Sequence, residues 1–239
     1  MNLTHLDFLI YSSHKTSTQS LLTTLCNNKY KAIHCHSLKD LQYYTNINAN
    51  ITKENFIQAL IDHKHINKQK LKIISIIRNP NDRLISSFFQ SFSTDEIQLQ
   101  KKNTKDTTIS LNDDNELCML YEKSIKNNLI PGQTESLDEL SDIFRINIIQ
   151  NLIKKKDYYY IYHELFELFV LDFNKLIDVN SHIYVNNILS INLKNITMKN
   201  LSDNKDYYHK YKNVKKMLGT SLNELIEQKY NIFYFTAFS

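Results

Sequence analysis

Arg78, Arg83, Ser86 and Ser87 sit within ten residues of one another in a chain whose positive charge is otherwise almost all lysine. Of its 29 basic residues only three are arginine, and two of these fall in this stretch. Arginine's planar fork holds a phosphate-like oxyanion through two hydrogen bonds, where lysine offers a point charge. Capping, or pairing with surface carboxylates, would use the same side chains. A second stretch, Ser13–Ser20 (SHKTSTQS), gathers Lys15 with the hydroxyls of Thr16, Ser17, Thr18 and Ser20. Such a loop at a helix start can cradle a phosphate. Ser/Thr capping of the helix accounts for the same composition, and the GxxxxGK[ST] pattern of a Walker loop is absent.

Elements must bring these groups together. Leu71–Ile77 is a short β-branched apolar run, the pattern of a buried parallel strand, and Arg78 stands where it ends. Asn79 can cap, and Pro80 open, the helix that follows. In that helix Leu84, Ile85, Phe88, Phe89 and Phe92 form one stripe, and Arg83, Ser86, Ser87 and Gln90 the other. Leu6–Ser12 reads as a first buried strand, followed by the Lys15 loop and a helix bearing Leu21, Leu22, Leu25 and Cys26. Lys31–His36 reads as a short second strand with His34 and His36 on one face. Thr52 is set to cap a helix carrying Phe56, Ile57, Leu60 and Ile61. This alternation predicts an α/β fold with a central parallel sheet flanked by helices. Ligands of such sheets bind beyond the carboxyl ends of the strands. The Lys15 loop, His36 and Arg78 all follow strands and should converge on one edge.

Residues 93–116 are polar and read as a long loop or mobile insertion of the kind that covers a site. Residues 116–128 read as helix, Pro131-Gly132 as a turn, and Ser136 with Glu139 as a capping box for a helix reaching Leu152. Tyr158–His163 reads as a strand or a helix start, and Leu165–Phe173 as a core strand ending at Asp172. Residues 182–191 stay open between helix and strand. Asp206–Leu218 reads as a basic amphipathic helix that Gly219 stops, and Thr220 or Ser221 with Glu224 starts the last helix. No repeat or linker divides the chain, so 1–239 reads as a single domain.

A length of 239 residues with 42% hydrophobic content supports a sizeable core. The net charge of +4 is mild: it suits an anionic ligand and does not mark a nucleic-acid-binding protein. Cys26, Cys35 and Cys118 have neither the even count of a disulfide framework nor the spacing of a zinc site. No basic leader precedes Leu6–Tyr11, and no apolar run approaches the ~20 residues of a membrane span. A reducing cytoplasm is the expected compartment.

HKTSTQSL and RNPNDRLISSFF together resemble the paired cofactor motifs of the sulfotransferases that use 3′-phosphoadenosine 5′-phosphosulfate. The first is similar to the family's 5′-phosphosulfate loop, KxGxTxL, and the second to its 3′-phosphate motif, RxPxxRxxSxFF. The resemblance implies a P-loop-like three-layer fold. Lys15, Thr16, Ser17, Thr18, Gln19 and Ser20 would hold the 5′-phosphosulfate end, and Arg78 and Ser86 the 3′-phosphate. The branch with histidines after the second strand, which includes carbohydrate and bacterial capsule-type sulfotransferases, is the most similar. It implies a glycan or other hydroxyl acceptor and a base at His36 or His34, with His14 a third candidate and Lys15 neutralising charge on the leaving phosphate. Adenosine 3′,5′-bisphosphate would be the product, and no metal is required. ELFVLDFNKL and KYNIFYF also look like the family's later strand and terminal aromatic segment. One departure stands out: Ser17 replaces the loop glycine, so the backbone must approach the phosphate without glycine's freedom.

Two other readings share the fold. A P-loop nucleotide-dependent kinase would want a Walker lysine and a magnesium-binding acidic strand end, for which Asp172 is the partial candidate. A non-catalytic nucleotide-binding relative would fit the altered loop.

Overall fold

The computed structural model describes residues 2–41, 51–91, 113–130, 135–196, 208–219 and 226–238. Their chain divides into two compact units, one drawn from 1–78 and 134–199 with Phe238, the other from 79–133 and 200–237.

The first unit is a mixed α/β structure built on a six-stranded sheet. Its elements in chain order are β1 (Phe8–Tyr11), α1 (Thr18–Asn27), β2 (Ala32–Cys35), α2 (Lys53–Asn67) and β3 (Leu71–Ile77). After the second unit's first two helices, α3 (Pro80–Ser91) and α4 (Asp114–Lys126), the chain returns with α5 (Ser136–Phe144), α6 (Ile148–Asn151), β4 (Ile153–Lys154) and β5 (Tyr158–Tyr162). β6 (Phe166–Asp172), α7 (Phe173–Leu176) and α8 (Ser181–Leu189) complete the unit. The strand order is β2-β1-β3-β6-β5-β4. The first four are mutually parallel, and β5 and β4 run antiparallel at one edge. β1 lies between β2 and β3, so the chain passes from β1 to one neighbour and then crosses back past β1 to the other. In parallel sheets the carboxyl ends of strands at such a reversal, here β1 and β3, are where ligands bind. One sheet face carries Phe8, Ile10, Ile74, Ile76, Phe169 and Leu171, covered by Leu21 and Leu25 of α1 and by Val185 and Leu189 of α8. β3 and β6, buried almost throughout, are the near-continuous apolar runs expected of central parallel strands.

The second unit contains α3, α4, α9 (Tyr208–Leu218) and α10 (Phe233–Thr236). Phe88 meets Tyr121 edge-on at 5.1 Å, and Phe89 meets Tyr211 at 5.9 Å. Asn79 Oδ1 accepts from Asn81 N at 2.9 Å, so Asn79 caps α3 as its sequence predicts.

Several expectations need correction. α3 is not two-faced: Arg83, Ser86 and Ser87 are buried along with the apolar stripe. Arg83 is fully buried, its guanidinium 5.9 Å from the Tyr230 ring centre. Cys26 is exposed rather than part of its helix's inner stripe. The capping box at Ser136 does not form. Glu135 is the N-cap residue, and the Ser136 hydroxyl lies 2.9 Å from the Ser75 hydroxyl instead. That helix stops at Phe144, where Arg145 turns left-handed at φ 54°, well short of Leu152. Two segments that the sequence leaves open resolve: Tyr158–Tyr162 is a strand and Ser181–Leu189 a helix. The expected loop at 93–116 lies outside the described residues up to 112, and Asp114–Glu116 already belong to α4. Pro131-Gly132 and the helix start at 220–224 also lie outside the described residues.

Candidate active site

The turn Ser12–Ser17 follows β1 and is tied to β3 through Ser12. Ser12 extends the pairing of β1 and β3 beyond the strands themselves. Its Oγ accepts from Ile76 N at 3.0 Å and can donate to Ile76 O at 3.1 Å or to Thr16 Oγ1 at 2.9 Å. Thr16, 1% exposed, donates its hydroxyl to Ser13 O at 2.7 Å. Its side chain therefore shapes the loop, and what it offers a ligand is its backbone N–H. Lys15 and Ser17 both adopt positive φ, 64° and 60°. Reversals of handedness on either side of one residue curl a backbone into an anion-binding concavity. Ser17 is the N-cap position of α1 and holds the left-handed geometry that glycine takes at no steric cost. The first-turn N–H groups of Thr18, Gln19 and Ser20 have no carbonyl one turn earlier inside the helix, and the dipole end adds positive potential.

Arg78 closes the loop from the side. Its Nη1 donates to Lys15 O at 3.0 Å, and its guanidinium stacks 4.5 Å above the Phe173 ring at the end of β6. Arg78 thus grips the loop that carries Lys15 through that residue's backbone carbonyl.

His36, one residue beyond β2, turns back over the same loop. Its Nδ1 lies 2.8 Å from Ser12 O. A carbonyl can only accept, so Nδ1 carries the proton and Nε2 is the basic nitrogen. The His14 ring stacks on His36 with centroids 3.8 Å apart, and His34 meets His36 edge-on at 5.3 Å. His34 Nε2 pairs with Gln19 Nε2 at 3.0 Å. Gln19 donates there, so His34 holds its proton on Nδ1. Burial, and secondarily the neighbouring His36, lower the His34 pKa to about 4. His34 is therefore neutral across the physiological range.

Lys15, Thr16, Ser17, Thr18, Gln19, Ser20, His34, His36 and Arg78 thus all belong to one unit and surround one loop. Ser86 belongs to the other unit, in the second turn of α3, where it is buried. Among the described residues no group of three or more His, Cys, Asp or Glu could hold a metal ion, and no helix is long and apolar enough to cross a membrane.

Sequence reasoning missed a carboxylate bracket beneath the loop. Glu135, 5% exposed, accepts from the Ser13 hydroxyl at 2.7 Å. Ser13 Oγ in turn accepts from Ser136 N at 3.0 Å. Glu139 accepts from Tyr11 OH at 2.6 Å and from Leu38 N at 3.2 Å. The Tyr11 hydroxyl is raised far above its usual pKa, mainly by burial, so it stays a donor. The only signal in the sequence was the dense Glu135–Glu139 segment, which pattern reading assigned to helix capping.

Fold and loop together define an α/β protein whose first strand leads into a helix through a turn with two left-handed residues. Residues 3–137, more than half of the chain, match the family described as the sulfotransferase domain, and the chain belongs to that family. No curated protein and no solved structure gives a match.

Proposed function

We propose that this sulfotransferase takes the sulfuryl group from 3′-phosphoadenosine 5′-phosphosulfate and passes it to an acceptor hydroxyl, with a carbohydrate as the acceptor class. The observation that supports this reading best is the meeting of three groups around one loop: Arg78 on the Lys15 carbonyl, His36 on the Ser12 carbonyl, and two left-handed residues curling the backbone between them. The residues fit a doubly anionic donor. The loop N–H groups and Lys15 suit its 5′-phosphosulfate, and Arg78 suits a phosphate; Ser86 joins Arg78 by the family motif alone.

In this mechanism the acceptor oxygen attacks sulfur in line, the sulfur–oxygen bond to the 5′-phosphate breaks, and adenosine 3′,5′-bisphosphate leaves. Little covalent work falls to the protein, as in phosphoryl transfer; its task is positioning and charge stabilisation. Lys15 neutralises the charge that grows on the leaving phosphate. His36 Nε2 takes the acceptor's proton, and the Ser12 carbonyl holds the ring in the tautomer that can do so. His34, neutral and bound to Gln19, buttresses His36.

Thermal titration with adenosine 3′,5′-bisphosphate tests the donor site. A ligand bound only by the folded state raises Tm, by roughly 3 kcal/mol of stability at a hundredfold excess over Kd. The expected rise is absent in Lys15→Ala and Arg78→Ala. Stabilisation by ATP with Mg²⁺ and none by the bisphosphate would overturn the reading in favour of a kinase.

A further inference from the structure

We propose that a second cavity, at the carboxyl edge of β6, binds a neutral polyhydroxylated ligand such as a sugar residue, at a site that does not include Lys15, His36 or Arg78. The cavity has a volume of about 670 Å³, within the usual range for small-molecule pockets. Its walls come from the turn before β5, the segment that follows β6, and α8.

The lining selects the ligand by charge. Asp157, Asp172 and Asp178 face Lys156 and Lys175, leaving one negative charge in excess. Lys175 is already paired with Asp157 at 2.8 Å. A phosphate, a sulfate or a nucleotide would meet that excess, whereas hydroxyl groups would not. Asp172 marks where a hydroxyl would bind. It is only 6% exposed and lines the cavity. Its Oδ1 accepts from Asn174 N at 2.9 Å, capping α7. Its Oδ2 has no hydrogen-bond partner among the described residues. That oxygen is not sealed in the core but accessible at the cavity that Asp172 lines, where it can accept from a ligand O–H.

The rest of the wall suits the same class. The amides of Asn174, Asn180 and Asn187 can donate and accept together, as vicinal hydroxyls require. Tyr158, Tyr184 and Phe238 supply ring surface for C–H faces. Tyr184 is held in place, its hydroxyl accepting from Asp172 N at 3.0 Å and donating to Asp157 O at 2.9 Å. The wall is therefore formed before the ligand arrives, which lowers the ordering cost of binding.

The test is saturation-transfer NMR on the full chain with methyl glycosides of the neutral hexoses and N-acetylhexosamines. At least one glycoside should receive saturation from wild type and lose it at least tenfold in Asp172→Asn. That substitution keeps an N-cap and turns the open oxygen into an NH₂ donor. Asn187→Ala should weaken the signal by a similar factor, and a Tm no lower than that of wild type in both variants shows that folding is intact. Lys15→Ala should leave the signal unaltered, so failure of bisphosphate binding and failure of sugar binding are read separately. Absence of saturation for every glycoside, equal saturation in Asp172→Asn, or displacement of the glycoside by inorganic sulfate or by adenosine 3′,5′-bisphosphate would each overturn the proposal.

Discussion

Ser17 is where this loop departs from its family's glycine, and its backbone shows what the departure costs. A left-handed conformation costs an L-residue about 1–2 kcal/mol, from which glycine's greater unfolded-state freedom subtracts about 0.5–1. Ser17→Gly is therefore expected to stabilise the protein by about 0.5–1 kcal/mol in urea unfolding. An unchanged midpoint would mean that the Ser17 side chain is stabilising enough to offset the strain at φ 60°. His36 carries a different residue-scale prediction. The Ser12 carbonyl fixes its tautomer, so His36→Asn should lower transfer by about 10²–10⁴-fold while adenosine 3′,5′-bisphosphate still binds. His34→Gln should lower it far less, because a base with a pKa near 4 is already poorly matched to neutral pH. Equal losses in both variants would assign the histidines a shared structural role and leave the base elsewhere.

At the scale of elements, periodicity and punctuation in the sequence located β1, α1, β2, α2, β3 and β6 closely, and with them the convergence of the loop, His36 and Arg78. Those segments are legible because each is an apolar run ended by a capping or loop residue, and local chemistry decides them. Two failures have the opposite cause. Arg83, Ser86 and Ser87 form a polar stripe apart from the apolar one, yet all three are buried, Arg83 against the Tyr230 ring from far along the chain. Ser136 and Glu139 carry the spacing of a capping box, yet each finds a better partner across the fold, in Ser75 and in Tyr11 with Leu38. The start of α5 is thus a clamp on the strand ends rather than a self-contained helix cap. Glu139→Ala removes the acceptor of a fully buried tyrosine hydroxyl and of the Leu38 amide two residues past His36. A buried donor left unsatisfied costs about 1–3 kcal/mol, and the expected loss is of that size in thermal or urea unfolding. Tyr11→Phe in the Glu139→Ala background should recover part of it, since the orphaned hydroxyl is then gone. Additive losses in the double variant would mean that the bond contributes nothing.

For the molecule as a whole, the histidine cluster makes folding stability depend on pH in a definite direction. His34 titrates near 6.5 when exposed and at about 4 in the fold, because burial and the adjacent His36 penalise its charged form. Between these values the unfolded chain binds a proton that the folded chain refuses, so stability falls as pH falls. The contribution is fully present above pH 6.5 and is lost progressively down to about pH 4. A shift of this size corresponds to roughly 1–3 kcal/mol once solvent access to the ring is allowed for. Asp172 works in the opposite sense: burial raises its pKa, so protonation at low pH relieves a cost of folding. The histidine is distinguished by its higher window, which opens at pH 6.5, above the range in which an ordinary carboxylate titrates. Urea unfolding at steps from pH 7 to pH 4 should show the wild type losing stability from the upper end of that range. His34→Gln should flatten the upper part of the curve and leave the acid limb, and an identical slope in the two proteins would show that His34 is as easily protonated in the fold as in the open chain.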